Sequence, residues 1–164
     1  DHTPGYGSAA KYIAATIKGI ICDSSVYNLN SVTVVEIMGR HTGWLAGAAS
    51  LAAGADCNGP DMILLPERAF DEEAFLAKVA QLEKEKLIQR LKSKPKGFTF
   101  DDAETLLKYL DYIRSNKGKT SGSRVIFVSN EHGSILLHKP HPQKELKAYQ
   151  IKQLIEILEQ EGLI

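Results

Sequence analysis

The stretch 32-VTVVEIMGRHTGWLAG-47 carries the strongest fold signal in the chain. Residues 32–37 form an apolar run rich in β-branched side chains, interrupted only by one threonine and one glutamate. Such a run is typical of a strand that is covered on both faces, as in a parallel sheet. Small residues follow and predict a helix over 44–53 that packs closely against that sheet. The succession of strand, turn and helix indicates an α/β fold.

The turn between the predicted strand and helix contains Met38, Gly39 and Arg40. Gly39 has no Cβ, so its backbone can approach a ligand closely, and the planar guanidinium of Arg40 matches a phosphate. Thr42 is predicted to cap the next helix, whose first amides favour anions. Because ligands of α/β folds bind at the carboxyl ends of strands, the turn is a candidate phosphate or sugar-phosphate site. The alternative is a tight turn whose arginine forms a surface ion pair.

Helical and strand patterns alternate along the rest of the chain. Apolar spacing of about 3.6 residues predicts helices over 8–23, 72–92, 101–116 and 144–160. Asp71 is predicted to cap the second, and Asp101 and Glu104 to form a capping box in the third. Apolar runs predict further buried strands at 62–65 and 125–129 and a short extra strand at 134–137. This order predicts a three-layer α/β/α fold with a mainly parallel sheet, in one lobe over residues 1–164.

Composition narrows the classes of function. The 164 residues include 20 basic and 20 acidic ones, and a net charge of zero argues against broad nucleic-acid binding. No apolar run approaches the roughly 20 residues of a membrane span, and no signal peptide is visible, so we expect a cytoplasmic protein without a membrane partner. Cys22 and Cys57 lack zinc-ligand spacing, and we predict no metal site. They are expected to be reduced, with a disulfide as the alternative.

Several segments together resemble one enzyme family. The run VTVVEIMGRHTGWLAGAA resembles the substrate loop of the 6-phosphofructokinases, in which a buried strand leads into Met-Gly-Arg and then a helix. The opening DHTPGYGSAAKYIA resembles the segment that follows that family's catalytic aspartates. Its residues are most similar to those of the family's bacterial pyrophosphate-dependent branch. PDMILLPE and FDEEAFL resemble the next strand and helix. The resemblance extends over about residues 1–80 and recurs at RVIFVSN.

The resemblance implies roles for particular residues. Met38, Gly39 and Arg40 would contact fructose 6-phosphate, with Arg40 near the phosphoryl group in transit. Asn130 or Glu131, at the end of the third predicted strand, would bind the sugar. The reaction would move a phosphoryl group from pyrophosphate to the sugar's 1-hydroxyl with Mg²⁺, in a homo-oligomeric phosphofructokinase-like enzyme.

The same comparison implies a role for Glu67, which matches an effector-pocket glutamate of regulated ATP-dependent relatives. A solvated surface acid is the alternative.

The resemblance also implies missing parts. The catalytic aspartates would lie before Asp1, the phosphoryl-donor loop further upstream, and a histidine and arginine segment of the sugar-phosphate pocket has no counterpart. We therefore expect a fragment that lacks the donor lobe and the Mg²⁺ ligands, carries only the sugar-binding lobe and is inactive alone. The alternatives are a fragment of an ATP-dependent 6-phosphofructokinase and a non-catalytic sugar-phosphate-binding or structural α/β module.

Overall fold

Helices and one small sheet make up the computed structural model, which describes residues 4–26, 31–93, 96–115 and 123–164. The chain divides into two compact units, residues 1–74 and 75–164, which we call unit 1 and unit 2. In chain order the elements are α1 (Tyr6–Val26), α2 (Trp44–Gly47), a 3-10 helix (Ala48–Ala52), α3 (Glu72–Lys92), α4 (Phe100–Tyr109), β1 (Ile113–Ser115), β2 (Arg124–Ser129), β3 (Gly133–His138) and α5 (Ala148–Gln160).

Unit 1 has a small core between α1 and the 3-10 helix. Its buried residues are Ile17 on α1 and the two alanines Ala49 and Ala52. Because the alanine side chains are small, the isoleucine side chains of α1 can pack directly against the 3-10 helix. The partly buried side chains packed against this core are Ile13, Ile21, Ile37 and Ile63. The apolar spacing predicted for the first helix is confirmed at Ile13, Ile17 and Ile21.

The two apolar segments of unit 1 do not form strands. Residues 32–37 and 62–65 lack regular secondary structure, and the side chains of Val32 and Val34 are 54% and 79% exposed. A strand exists only where its backbone amides and carbonyls bond to a neighbour. No such neighbour lies beside either segment within the described ranges, so the predictions of buried strands at 32–37 and 62–65 are wrong for this chain.

The predicted helix over 44–53 is present in a tighter form. One α-helical turn, α2, leads directly into the five-residue 3-10 helix. The N-cap of α2 is Gly43, without a side-chain cap, so the prediction that Thr42 caps this helix is wrong. The 3-10 helix ends at Ala52, because the backbone of its C-cap, Ala53, is extended.

The sheet of unit 2 is antiparallel, with β2 between β1 and β3. Phe127 lies opposite Ile135 across β2 and β3, which are joined by the short turn 130–132. So short a connection can link only antiparallel neighbours, because a parallel pair needs a crossover of a dozen or more residues. The described residues therefore contain no mainly parallel, three-layer sheet. The strands predicted at 125–129 and 134–137 are confirmed as strands.

Only one face of this sheet is buried. In β2, Val125 and Phe127 are buried, whereas Ile126 and Val128 are 42% and 41% exposed. The alternation corrects the prediction of a strand covered on both faces. The buried side chains share one core with α4 and α5, whose members include Ala103, Leu106, Leu107, Leu110, Ile151, Leu154, Ile155 and Leu158. The predicted apolar faces of these two helices are confirmed.

Helix α4 is shorter than predicted because a left-handed residue ends it. The backbone of Asp111 has φ 60°, the Tyr112 amide donates to the Leu107 carbonyl at 2.9 Å, and the Asp111 amide donates to Lys108 at 3.2 Å. These bonds form a Schellman motif, which terminates a helix. The chain then enters β1, where a helix was predicted.

The start of α4 also differs from the prediction. Thr99 and Asp102 form the capping box, and not Asp101 and Glu104. The Asp102 amide donates to the Thr99 hydroxyl at 3.1 Å, and the Thr99 amide donates to the Asp102 carboxylate at 2.9 Å.

Helix α3 packs into the core of unit 2. The bounds predicted for it are confirmed, and the Ala74 amide donates to the Asp71 carboxylate at 2.9 Å at its start. Near its end Leu87 and Leu91 are fully buried. Neither this 21-residue helix nor any other in the described ranges is long and apolar enough to cross a membrane.

Polar contacts tie α3 to α4. The guanidinium of Arg90 donates to both carboxylate oxygens of Asp102, at 3.3 and 3.0 Å. The Tyr109 hydroxyl donates to the Glu83 carboxylate, and this hydrogen bond raises the pKa of Tyr109. Two-point guanidinium–carboxylate pairs fix orientation as well as distance.

The substitution Leu91→Ala tests whether α3 belongs to the folded core of unit 2. We expect it to lower the free energy of unfolding by about 2–5 kcal/mol, because it leaves a cavity at a fully buried site. Denaturation followed through the amide resonances of β2 would measure this. The matched control is Leu76→Ala on the same helix, where the side chain is 57% exposed and the change should stay within about 0.5 kcal/mol. Equal effects of the two substitutions would contradict the packing.

Candidate functional site

The loop 38–43 follows the segment 32–37 and leads into α2. At Gly39 the backbone has φ +144°, and a Cβ there would lie 2.4 Å from the Thr42 carbonyl oxygen. Both the dihedral angle and the contact exclude a side chain. The loop therefore turns tightly at Gly39, with Met38 and Arg40 on either side of it.

The two side chains that flank Gly39 face solvent. Met38 is 84% exposed and Arg40 is exposed. Arg40 forms no ion pair or side-chain hydrogen bond with any residue that the structure describes, so the alternative of a surface ion pair is not observed there. A guanidinium without a protein partner can offer its full set of donors to an anion.

The loop borders two cavities of unit 1. One, of about 500 Å³, is lined by Tyr6, Met38, Gly39, Thr42, Trp44 and Leu45. In it the Tyr6 hydroxyl donates to the Trp44 carbonyl at 3.0 Å. The other, also of about 500 Å³, is lined by Glu36, Ile37, Met38, Gly39 and Arg40. The first cavity has the apolar and aromatic walls that are usual for small-molecule sites, whereas Arg40 lines the second, beside Glu36.

A hydrogen bond that sequence reasoning missed holds the end of the loop. The Gly43 amide donates to the Glu67 carboxylate at 2.6 Å. A Cβ on Gly43 would lie 2.7 Å from both Glu67 Oε2 and Leu65 Cδ2. The two partners are 24 positions apart, so no local pattern reveals the contact. The nearest signal is Pro66-Glu67, directly after an apolar segment.

Asn130 and Glu131 lie in unit 2, in the exposed turn between β2 and β3. The Glu131 carboxylate, 86% exposed, lies 3.9 Å from His132 Nε2. His132 Nδ1 lies 3.2 Å from the Glu161 carboxylate. The structure thus places Met38, Gly39 and Arg40 together in unit 1, and Asn130 and Glu131 together in unit 2.

Metal-binding side chains do not converge in the parts of the chain that the structure describes. No group of three histidine, cysteine, aspartate or glutamate side chains there could hold a metal ion. Cys22 and Cys57 are free thiols, the first exposed and the second buried. His2 lies outside the described residues, and His41 is exposed.

The substitution Gly39→Ala tests the loop geometry. We expect it to lower the free energy of unfolding of unit 1 by about 1–3 kcal/mol, because alanine strains the left-handed backbone and meets the Thr42 carbonyl. Denaturation followed by the fluorescence of Trp44, the chain's one tryptophan, reports on this region. In the control Gly47→Ala, the Cβ meets nothing within 4 Å and the backbone is helical, so stability should hold or rise slightly. A neutral Gly39→Ala would contradict the turn.

Two different family models match different parts of the chain. A family model described as HicA toxin of bacterial toxin-antitoxin matches residues 100–163, which hold α4, the three strands and α5. Asn130, Glu131 and the RVIFVSN segment lie in this range. No solved structure matches the chain.

The phosphofructokinase family model matches residues 1–92, more than half of the chain. A pyrophosphate–fructose 6-phosphate 1-phosphotransferase of Xanthomonas campestris is 51% identical over 84 residues, which are 50% of this chain and 20% of that protein. A sulfofructose kinase of Alkalicoccus urumqiensis is 41% identical over 52% of this chain and 23% of its own length. An ATP-dependent 6-phosphofructokinase of Chloroflexus aurantiacus is 39% identical over 48% of this chain and 20% of its own length. The chain thus spans about a fifth of the curated relatives it matches, and it belongs to the phosphofructokinase family.

Proposed function

We propose that residues 1–92 supply the fructose 6-phosphate side of a pyrophosphate-dependent phosphofructokinase site. Met38, the backbone of Gly39 and the guanidinium of Arg40 would contact the sugar phosphate. The observation that carries the proposal is the exposed Arg40, without an ion pair among the described residues, beside a turn that requires glycine. The family match over the same residues supports it.

Pyrophosphate is the proposed phosphoryl donor, because pyrophosphate-dependent enzymes are frequent among the relatives. ATP is the alternative, since ATP-dependent 6-phosphofructokinases also match. We assign no residue of this chain to the donor site. Both the phosphoryl donor and the sugar phosphate of the full enzyme are therefore proposals.

The proposed role of Arg40 follows from the charge of the reaction. When a phosphoryl group passes from pyrophosphate to the sugar's 1-hydroxyl, negative charge is spread over its oxygens, and a fixed guanidinium stabilises that charge. A base must also accept the hydroxyl proton, and we assign none in this chain. The described residues do not fit a Mg²⁺ site. We therefore propose that this chain binds and orients the sugar phosphate and does not turn it over alone.

The apolar segments 32–37 and 62–65 fit the same proposal. Their apolar side chains, such as Val34 at 79% exposure, are suited to a mainly parallel, three-layer sheet once neighbouring strands of a full enzyme lie beside them. We further propose that the full enzyme is a homo-oligomer and acts in the cytoplasm. The assignments of Asn130 and Glu131 to the sugar, and of residues 1–164 to one lobe, stay predictions.

Substitution of Arg40 tests the proposed phosphate contact. In calorimetric titration of fructose 6-phosphate into the whole chain, we expect Arg40→Ala to weaken binding about 10- to 100-fold, the usual effect of losing hydrogen bonds to a charged group. Arg68→Ala, at an exposed arginine of the same unit, is the matched control and should leave the affinity unchanged.

Two outcomes would contradict the proposal. One is the absence of fructose 6-phosphate binding by the wild-type chain, and the other is equal binding by the wild type and Arg40→Ala. Turnover of fructose 6-phosphate with pyrophosphate and Mg²⁺ would refute the claim that the chain only binds the sugar phosphate.

We propose a second function for residues 100–163, as a module of the bacterial toxin type. The family match over these residues favours it, and α4, the sheet and α5 share one core. This function would be independent of Arg40, which lies outside the module.

Expression of the whole chain in a bacterium tests the second function. We expect induction to arrest growth, and Phe127→Asp to abolish the arrest, because it places a charge at a fully buried position of the module. Arg40→Ala should arrest growth like the wild type. Colony counts before and after induction measure the effect, and equal counts for wild type and Phe127→Asp would refute a toxin role.

A further inference from the structure

We propose that Glu67 is a positioning residue that holds the loop 38–43 in the conformation that presents Arg40. The inference rests on the proposed role of Arg40 in binding a sugar phosphate. Glu67 itself does not touch the substrate in this assignment. It acts on Arg40 through the backbone of Gly43.

The contact between Glu67 and the loop is a charge-assisted hydrogen bond. The Gly43 amide donates to Glu67 Oε1 at 2.6 Å, and this bond is part-buried. Hydrogen bonds that involve a carboxylate are shorter and stronger than neutral ones. Gly43 is the N-cap of α2 and has no side-chain cap of its own, so the carboxylate from a distant segment satisfies its amide.

The shape of Gly43 makes room for this carboxylate. A Cβ would lie 2.7 Å from Glu67 Oε2, 2.7 Å from Leu65 Cδ2 and 3.1 Å from Pro66 Cδ. Side-chain atoms of three consecutive residues therefore lie close to Gly43, and a side chain at this position would push the ends of Glu67 and Leu65 aside. Since Gly39 fixes the other end of the loop by its turn against the Thr42 carbonyl, Arg40 lies between two constrained points.

The segment that carries Glu67 is itself constrained. The Arg68 amide donates to the Leu65 carbonyl at 3.1 Å, which closes a β-turn with Pro66 and Glu67 at its centre. Proline at the first central position fixes φ in advance and suits such a turn. The carboxylate is thus offered to Gly43 from a braced backbone. A merely solvated surface acid would need neither the turn nor the contact.

Hydrogen exchange of the Gly43 amide, read by NMR on the whole chain, tests the contact. We expect Glu67→Ala to speed exchange at least about tenfold, the usual effect of losing a hydrogen bond to a charged acceptor. Glu67→Gln keeps an acceptor oxygen and should stay within about threefold of the wild type. Asp61→Ala removes an exposed carboxylate of the same unit and is the matched control. Unchanged exchange in Glu67→Ala would overturn the inference.

Calorimetric titration with fructose 6-phosphate separates positioning from general destabilisation. Glu67→Ala should weaken binding about tenfold in the wild-type background and less than about twofold in the Arg40→Ala background, with Glu67→Gln restoring most of the affinity. Equal losses in both backgrounds would overturn the positioning role. If the wild-type chain bound no fructose 6-phosphate while Glu67→Ala still exposed the Gly43 amide, the proposed function would fall and the loop contact would be supported.

Discussion

The hydrogen bond from the Gly43 amide to the Glu67 carboxylate joins two segments that are far apart in sequence, and the geometry of the candidate site depends on it. A short loop can point an arginine into solvent in many ways. Here the turn at Gly39 and the hydrogen bond at Gly43 restrict the loop to few conformations. Binding is tighter when a group is held in place beforehand, because less conformational freedom is lost on association.

The helices could be predicted from sequence because their apolar spacing is satisfied by any packed partner. The bounds of α3 and the buried faces of α4 and α5 followed from that spacing. Strands were harder, because a strand needs a hydrogen-bonded neighbour that its own residues do not specify. Residues 32–37 have the composition of a buried strand but no such neighbour among the described residues. The short β1 was hidden because one left-handed residue, Asp111, separates it from a helical pattern.

The candidate site could be predicted only in part, because some of its contacts join residues that are far apart in sequence. Met38, Gly39 and Arg40 are adjacent in the chain, so their pattern was visible directly. Glu67 reaches Gly43 across 24 positions, and only the folded chain reveals that contact. The prediction for Asn130 and Glu131 extended one family's pattern into residues that match another family. Apolar strand patterns such as RVIFVSN are shared by many folds, and this one belongs here to an antiparallel sheet.

The exposed valines of the segment 32–37 bear on the tendency of the chain to aggregate. Val32 and Val34 are β-branched and exposed, and no proline interrupts the run. Short segments of this kind stack into cross-β fibrils when identical copies meet, because each backbone then bonds to the copy above and below. Glu36 is the one charge within the run, and like charges in register oppose such stacking. An exposed segment of this composition is thus an aggregation hazard, which the charge of Glu36 opposes.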